Sequence, residues 1–174
     1  MTEGFHDGLL IARVVLGLLI AAHGAQKLFG WFGGHGLAGT AGFFEQLGFR
    51  PGRAFAAAAG ASEFAGGLLA ALGLFGPVGP ALVVSVMIVA AGSVHWHNGL
   101  FAATSGVEVP LLYGAVAAGL ALTGPGRYSL DALTGLSALW TTELAWGALA
   151  LGIAGGAANL AYWARRHAPV GATA

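Results

Sequence analysis

Five apolar segments divide this chain of 174 residues, and they constrain its fold more than any other feature of the sequence. They cover residues 8–31, 54–76, 78–97, 108–124 and 143–163. A helix needs about 20 mostly apolar residues to cross a bilayer, and inside lipid only helices and closed barrels satisfy their backbone hydrogen bonds. These segments are too long and too uniformly apolar for barrel strands. We therefore predict an all-α membrane protein with five transmembrane helices.

The composition favours the same environment. Only 8% of the residues are charged, whereas a soluble domain carries about 25%. The net charge is zero and no basic run is present, so the expected partner is the lipid bilayer and not nucleic acid. The chain has no cysteine, which excludes disulfides and thiolate metal sites. Because the start "MTEGFHDG" is acidic, the first apolar segment is predicted to be a retained helix and not a cleaved signal peptide.

Two connections between the apolar segments carry signals for short helices. In residues 32–53, Thr40 is a candidate helix N-cap and Gly48 is placed to end the helix. In residues 124–142, Ser129 is the corresponding cap. We predict two short helices that lie in the membrane interface or cover an end of the bundle. The first would present an apolar side made of Phe43, Phe44 and Leu47.

The basic residues predict an orientation. One side of the membrane collects five of them, Lys27, Arg50, Arg53, Arg165 and Arg166. The other side has Arg127, and Arg13 if its side chain extends outward. Since basic residues concentrate in cytoplasmic loops, we expect the N-terminus outside and the C-terminus in the cytoplasm. The tryptophans fall near the ends of predicted helices, as interfacial aromatic residues do: Trp31, Trp96, Trp140, Trp146 and Trp163.

Ionisable side chains inside the apolar segments are costly and therefore indicate function. Glu63 lies near the middle of the second segment, too deep to reach water easily. With a rise of about 1.5 Å per residue, Glu63 comes level with His23 and within reach of Lys27. Gly60 and Gly67 share its side of the helix and would let another helix approach closely. A structural ion pair and a functional carboxylate are both open interpretations of Glu63.

Other polar residues add to this picture. His95 and Glu108, from the third and fourth segments, are expected in the same half of the bundle as Glu63. Arg13 lies about 12 Å too far toward the opposite end for an easy pair with Glu63. For Arg13 and Lys27, extension of the cation to water is the alternative interpretation. His95 and His97 would point to nearly opposite sides of a helix, so we predict no metal site.

Four stretches in this order resemble the DoxX family of small bacterial membrane proteins, over about residues 9–135: "RVVLGLLIAAHGAQKLFGW", "GTAGFFEQLGF", "ASEFAGGLLAALGLF" and "GRYSLDAL". The resemblance implies a four-helix transmembrane bundle of the bacterial inner membrane, here residues 1–142 with the short interfacial helices. Residues 143–174 would add a fifth transmembrane helix and a short basic tail. The family's recurrent polar and glycine positions match Arg13, His23, Gly24, Lys27, Glu63 and Gly67, and its acidic position near the end matches Asp131.

The resemblance also implies a role in redox or sulfur metabolism, because the family includes a subunit of a thiosulfate:quinone oxidoreductase. A polar pocket between the first four segments would then bind a quinone cofactor or a small sulfur oxyanion. His23 and Glu63 would be the catalytic residues that transfer protons. The ligand-binding residues would be Lys27, His95, Arg13 and Glu108. Whether the chain is itself a quinone-linked oxidoreductase subunit stays open at this point.

Two other functions fit the sequence. In a non-catalytic membrane scaffold, the polar groups hold helices together while loops recruit soluble redox-stress proteins. A small transporter ranks third unless the chain forms a homo-oligomer, because the chain is short and shows no pair of interrupted helices.

Overall fold

A computed structural model gives the structure of residues 3–167, with side chains described for residues 3–166. Within these residues the chain forms helices and loops but no strand. The seven α-helices are α1 (Glu3–Phe29), α2 (Gly36–Gln46), α3 (Gly52–Leu72), α4 (Val78–Ala90), α5 (Glu108–Thr123), α6 (Leu130–Thr134) and α7 (Thr142–His167). The helix α4 continues through a π-helical turn and a 3-10 turn, Ala91–His95 and Trp96–Asn98. Further short 3-10 turns are Trp31–Gly33, Ala102–Thr104 and Leu136–Leu139.

The five predicted membrane segments are all helical. Four helices are long and apolar enough to cross a membrane: α1, α3, α4 with its extension to Asn98, and α7. The fifth, α5, is apolar but has only 16 residues. The predicted all-α membrane fold is therefore confirmed. The end of the predicted basic tail, residues 168–174, lies outside the described residues, while Arg165 and Arg166 belong to α7.

Both predicted short helices are present, but one predicted cap is wrong. Ser129 caps α6, with its Oγ accepting a hydrogen bond from the Ala132 amide at 3.1 Å. Gly48, at φ 90°, follows the end of α2, and its amide donates to the Glu45 carbonyl. Thr40 does not cap α2, which begins four residues earlier at Gly36. Its hydroxyl is buried and donates to the backbone carbonyl of Lys27 at 3.3 Å, so this residue fastens α2 to α1.

Helices α1, α3, α4 and α5 form a ring in which α1 packs along α3, α3 against α4, α4 against α5, and α5 against α1. Their core is made of apolar side chains that include Leu16, Ile20, Val83, Val84, Met87 and Leu120. Helix α7 packs outside this ring, mainly against α4. Gly152 and Gly156 make that contact close, since a Cβ at either would lie within 2.7 Å of an α4 carbonyl oxygen. Glu3 contacts Arg127 in the loop after α5, whereas Tyr162 near the end of α7 contacts Arg50 just before α3. The two ends of the described chain therefore lie on opposite faces of the bundle.

We call these faces the N-terminal face (Glu3, residues 73–77 and 124–141) and the C-terminal face (residues 30–51, 99–107 and the end of α7). The N-terminal face is closed around Asp131, which is fully buried. Its carboxylate accepts hydrogen bonds from the amides of Phe75 and Gly76 at 2.9 and 2.7 Å and from Trp140 Nε1 at 2.8 Å. Phe75 has φ 59°, a backbone conformation that costs a non-glycine residue free energy. Asp131 therefore stabilises the tight α3–α4 turn.

Candidate functional site

Glycines on α1 and α3 bring the two helices into backbone contact. A Cβ on Gly24 would lie 2.3 Å from the Phe64 amide nitrogen, and one on Gly67 would lie 2.5 Å from the Ala21 nitrogen. Small residues at such positions let transmembrane helices approach closely. The predicted close approach at Gly60 and Gly67 is confirmed. This contact places the C-terminal end of α1, with Lys27, directly beside the middle of α3.

Lys27 and Glu63 form an ion pair across this contact, with Lys27 Nζ donating to Glu63 Oε2. The Glu63 side chain is 3% exposed, and the Lys27 side chain is 27% exposed. The ion pair confirms the predicted reach of Lys27 to Glu63. A carboxylate buried this deeply is stable only when it is paired or hydrogen-bonded. Lys27 thus supplies the compensating charge.

A cavity of about 250 Å³ lies next to the ion pair, and we call it the Lys27–Glu63 cavity. Its wall toward α2 and the start of α3 is aromatic and includes Phe43, Phe44, Phe49 and Phe55. The opposite wall is formed by α4, with Val86, Val89 and Val94. The polar lining, apart from the ion pair, consists of Ser62, Ser85, Ser93, His95 and Asn159. An apolar chamber with a few polar groups is typical of a site for a small organic ligand.

Helix α2 forms the cover of this cavity, which agrees with one of the two positions predicted for it, over an end of the bundle. Phe43, Phe44 and Leu47 all line the cavity. The cover is fastened to α7, because Trp163 Nε1 donates to the Leu47 carbonyl at 2.6 Å. Phe49, which is 1% exposed, stacks on the Trp163 ring at a centroid distance of 6.4 Å. The C-terminal helix therefore helps to build the site.

His95 reaches the cavity through the π-helical turn at the end of α4. Its Nδ1 lies 2.7 Å from the Ser105 carbonyl oxygen and must donate to it, because a carbonyl oxygen only accepts. In the neutral ring, Nε2 is then a hydrogen-bond acceptor. Single π-helical turns inside α-helices occur often at functional sites. His95 is thus held in one orientation as a cavity residue.

The other predicted site residues lie elsewhere. His23 is exposed on α1, with its ring 6.3 Å from that of Tyr113 on α5. The Glu108 carboxylate accepts a hydrogen bond from the Ala102 amide at 2.7 Å and holds the turn before α5. Neither residue lines the Lys27–Glu63 cavity. The structure therefore brings together Lys27, Glu63 and His95, but not His23 or Glu108.

Arg13 lies at the opposite end of α1 and is 4% exposed. Its guanidinium donates to the carbonyls of Ala71 at 2.6 Å and of Tyr128. Extension of this cation to water, the alternative interpretation, is therefore wrong. Ala71 lies in the last turn of α3, where a positive charge interacts favourably with the helix dipole. Arg13 thus joins α1 to α3 and to the loop before α6.

Several cavity residues were not recognised from the sequence. Phe49, Phe55, Ser62, Ser93 and Asn159 line it together with the ion pair. Phenylalanine, serine and asparagine carry no spacing signal for a ligand, so only the packing of α3, α4 and α7 shows that these side chains converge. In the residues whose side chains are described, no three acidic or histidine residues cluster in a way that would hold a metal ion.

Comparison with known proteins agrees with this architecture. The DoxX family model matches residues 8–96, slightly more than half of the chain. The match spans α1 to the end of α4 and so contains Lys27, Glu63 and His95. No curated protein and no solved structure matches the chain. The chain is therefore an integral membrane protein that belongs to the DoxX family.

Proposed function

We propose that the Lys27–Glu63 cavity binds the ring of a quinone, and that the protein serves membrane redox or sulfur metabolism as a quinone-linked subunit. The observation that carries the proposal is the position of a buried ion pair beside an aromatic cavity of about 250 Å³ within the transmembrane bundle. A quinone is apolar except for two carbonyl oxygens, and it enters protein sites from the lipid.

The lining residues match the chemistry of such a ligand. Aromatic side chains stack on flat rings, and Phe43, Phe44 and Phe55 provide three such surfaces. The Lys27 ammonium donates to a quinone carbonyl oxygen, which becomes more negative on reduction. His95 Nε2 and Glu63 accept from the hydroxyl groups of the quinol. In this proposal His95 takes the proton-transfer role that the sequence placed on His23.

A small sulfur oxyanion, the other ligand implied by the resemblance, fits the cavity less well. The positive charge of Lys27 is already balanced by Glu63. The other residues around the pair are mostly apolar, and they replace little of the hydration that a small anion loses on entering. The geometry therefore favours a neutral, ring-shaped ligand.

The proposal also includes an electron donor and an orientation of the protein in the membrane. Electrons reach the quinone from a soluble redox partner that docks on the C-terminal face. In a bacterial cell membrane, this face is cytoplasmic and the N-terminus lies outside, because Lys27, Arg50, Arg53, Arg165 and Arg166 are on the C-terminal side. This topology gives the partner access to the end of the bundle where the cavity lies.

A membrane scaffold is the second candidate function. The observation that favours it is that Lys27 and Glu63 satisfy each other, as a purely structural pair would. In that case the ion pair holds α1 on α3, and no quinone binds. The two functions differ in one measurable property, which is saturable binding of a quinone in the cavity.

Titration of the purified protein in lipid nanodiscs with short-chain benzoquinone and naphthoquinone analogues tests the proposal. Quenching of tryptophan fluorescence gives the affinity, since Trp163 stacks on the cavity residue Phe49. We expect saturable binding that Lys27→Met weakens by about tenfold or more, the cost of one charge-assisted hydrogen bond. His95→Gln should weaken binding as well.

Matched substitutions outside the cavity serve as controls. Arg53→Met removes a cation and His97→Gln removes an imidazole from the same face, and neither residue lines the cavity. Both should keep the affinity within about twofold, a change well below 1 kcal/mol. His23→Gln distinguishes the structure-based assignment from the role that the family resemblance implies for His23. Since His23 does not line the cavity, the structure-based assignment predicts unchanged quinone binding. Absence of saturable binding, or equal loss in cavity and control variants, would contradict the proposal.

A further inference from the structure

The last turn of α2 and the segment that connects it to α3 separate two cavities of opposite character. Phe44, Leu47 and Phe49 face the Lys27–Glu63 cavity. The residues between them line a second cavity at the C-terminal face, of about 470 Å³, together with the end of α7. Its lining is polar and consists of Glu45, Gln46, Gly48, Arg50 and Arg166. None of these groups takes part in the proposed binding of the quinone.

Two arginines, Arg50 and Arg166, line this second cavity. Among the residues whose side chains are described, ion pairs join Lys27 to Glu63 and Arg127 to Glu3, and neither Arg50 nor Arg166 takes part in one. Both arginines are exposed. Their charges are therefore available to an external anion.

Tyr162 organises the two arginines. Its ring lies under the guanidinium of Arg166, with 4.9 Å from Cζ to the ring centroid. Its hydroxyl donates to the Arg50 carbonyl at 3.0 Å, which ties the segment before α3 to α7. Tyr162 also stacks on Phe55 at 5.5 Å, so its ring is fixed by the bundle. The cavity is thus built on a packed support, which lowers the entropy lost when a ligand binds.

The charges around the cavity match a singly charged anion. Two guanidinium groups and the Glu45 carboxylate leave a net charge of +1. Guanidinium groups bind phosphate oxygens through paired hydrogen bonds, and the Gln46 amide adds a neutral donor. A phosphodiester carries a single negative charge. The position of the cavity along the bundle also matches the headgroup layer. Trp163, next to Tyr162, is a tryptophan near a helix end, and such residues lie at the headgroup level of a bilayer.

We propose that Arg50 and Arg166 form a binding site for a phosphate oxyanion, of the kind found in the headgroup of an anionic phospholipid. Glu45 limits the site to an anion of low charge and accepts from hydroxyl groups of the headgroup. Because Phe44, Leu47 and Phe49 of the same stretch line the Lys27–Glu63 cavity, an occupied phosphate site holds the cover of that cavity in place.

Native mass spectrometry of the protein, released from nanodiscs that contain equal amounts of phosphatidylglycerol and phosphatidylcholine, tests this site. The wild-type protein should retain phosphatidylglycerol preferentially. Arg50→Gln with Arg166→Gln should lower that preference by about tenfold or more, since two charge-assisted contacts are lost. Glu45→Gln should change it in the opposite direction, because a repulsive charge is removed.

The matched control removes two arginines from the same face outside the cavity, Arg53→Gln with Arg165→Gln. It has the same net charge as the cavity double variant and should keep the preference within about twofold of wild type. A second arm uses inorganic phosphate alone. Tight binding of phosphate that depends on Arg50 and Arg166 identifies a soluble phosphate compound as the ligand, whereas retention of lipid alone identifies the headgroup. Equal loss in both double variants, or no preference in the wild type, would overturn the proposal.

Discussion

Glu63 places a carboxylate where water is nearly absent, and among the residues with described side chains its charged partner is Lys27. The partners are unequal, since the Lys27 side chain is 27% exposed and the Glu63 side chain 3%. A flexible ammonium can extend toward the membrane surface when it loses its partner. The Glu63 carboxylate, in the middle of α3, cannot reach the membrane surface in this way. The two halves of the ion pair should therefore respond differently to mutation.

We predict that Lys27→Met destabilises the fold by about 3–5 kcal/mol, because it leaves a buried charge without compensation. Glu63→Gln should cost clearly less, since Lys27 can then extend to water. Thermal unfolding in detergent, followed by tryptophan fluorescence, measures both effects. The double variant Lys27→Met with Glu63→Gln serves as the control and should be more stable than Lys27→Met alone. Equal and additive costs of the two single substitutions would argue against a coupled pair.

The sequence predicted the Lys27–Glu63 pair because depth along a helix follows from residue number. It did not predict which way each side chain turns. The direction is set by Gly24, which faces the backbone of Phe64. On a helix, Lys27 lies about 60° from Gly24 and His23 about 100°. The longer Lys27 side chain reaches Glu63, whereas His23 turns toward Tyr113, a neighbour that residue spacing within α1 does not reveal.

At the scale of the elements, the contact between α1 and α3 depends on glycine. We predict that Gly24→Ala destabilises the protein by about 1–3 kcal/mol or more, because the added Cβ would lie 2.3 Å from the Phe64 nitrogen. It should also weaken quinone binding, since it moves Lys27 away from Glu63.

The matched substitution is Gly119→Ala, inside α5, where a Cβ would meet no atom within 4 Å. It should leave stability unchanged or raise it by up to about 1 kcal/mol, as alanine does inside a helix. Melting temperatures in detergent compare the two variants. If Gly24→Ala were as stable as Gly119→Ala, the close packing of α1 on α3 would be wrong.

The indole of Trp163 fastens the end of α2, the cover of the cavity, to α7. Trp163→Phe preserves an aromatic ring beside Phe49 but removes the hydrogen bond to the Leu47 carbonyl. We expect a loss of about 1 kcal/mol and faster amide hydrogen exchange in residues 36–49. Trp146→Phe, at an exposed position on the same helix, is the control and should not change that exchange. Unchanged exchange in Trp163→Phe would show that other contacts hold α2.

The boundaries of α2 show where local sequence signals fail. Thr40 has the residue type of an N-cap, yet α2 begins at Gly36 after His35, which provides no side-chain cap. The hydroxyl of Thr40 instead satisfies the Lys27 carbonyl, in the last turn of α1. A long-range contact of this kind outweighs a capping preference that contributes about 1 kcal/mol.

At the scale of the whole molecule, the C-terminal helix changes the site. Apolar length was enough to predict α7 as a membrane helix. Nothing in its sequence shows that it packs on α4, because the glycines that allow this, Gly152 and Gly156, are two among 31 in the chain. The expected pocket between the first four segments is instead lined by α1, α2, α3, α4 and α7, with no residue from α5. Asn159 and Trp163 are the contributions of α7 to the cavity and its cover.

The central claim is that a quinone occupies the cavity beside the Lys27–Glu63 pair, and photolabelling tests it most directly. A photoreactive quinone analogue is irradiated with the protein in nanodiscs, and the modified residues are located by mass spectrometry. We predict labelling on residues 43–49, 55–63 and 86–95 that an excess of unlabelled quinone suppresses. Labels spread over the lipid-exposed residues of α1 and α7, such as Ile11 and Leu151, and insensitive to unlabelled quinone, would contradict the account.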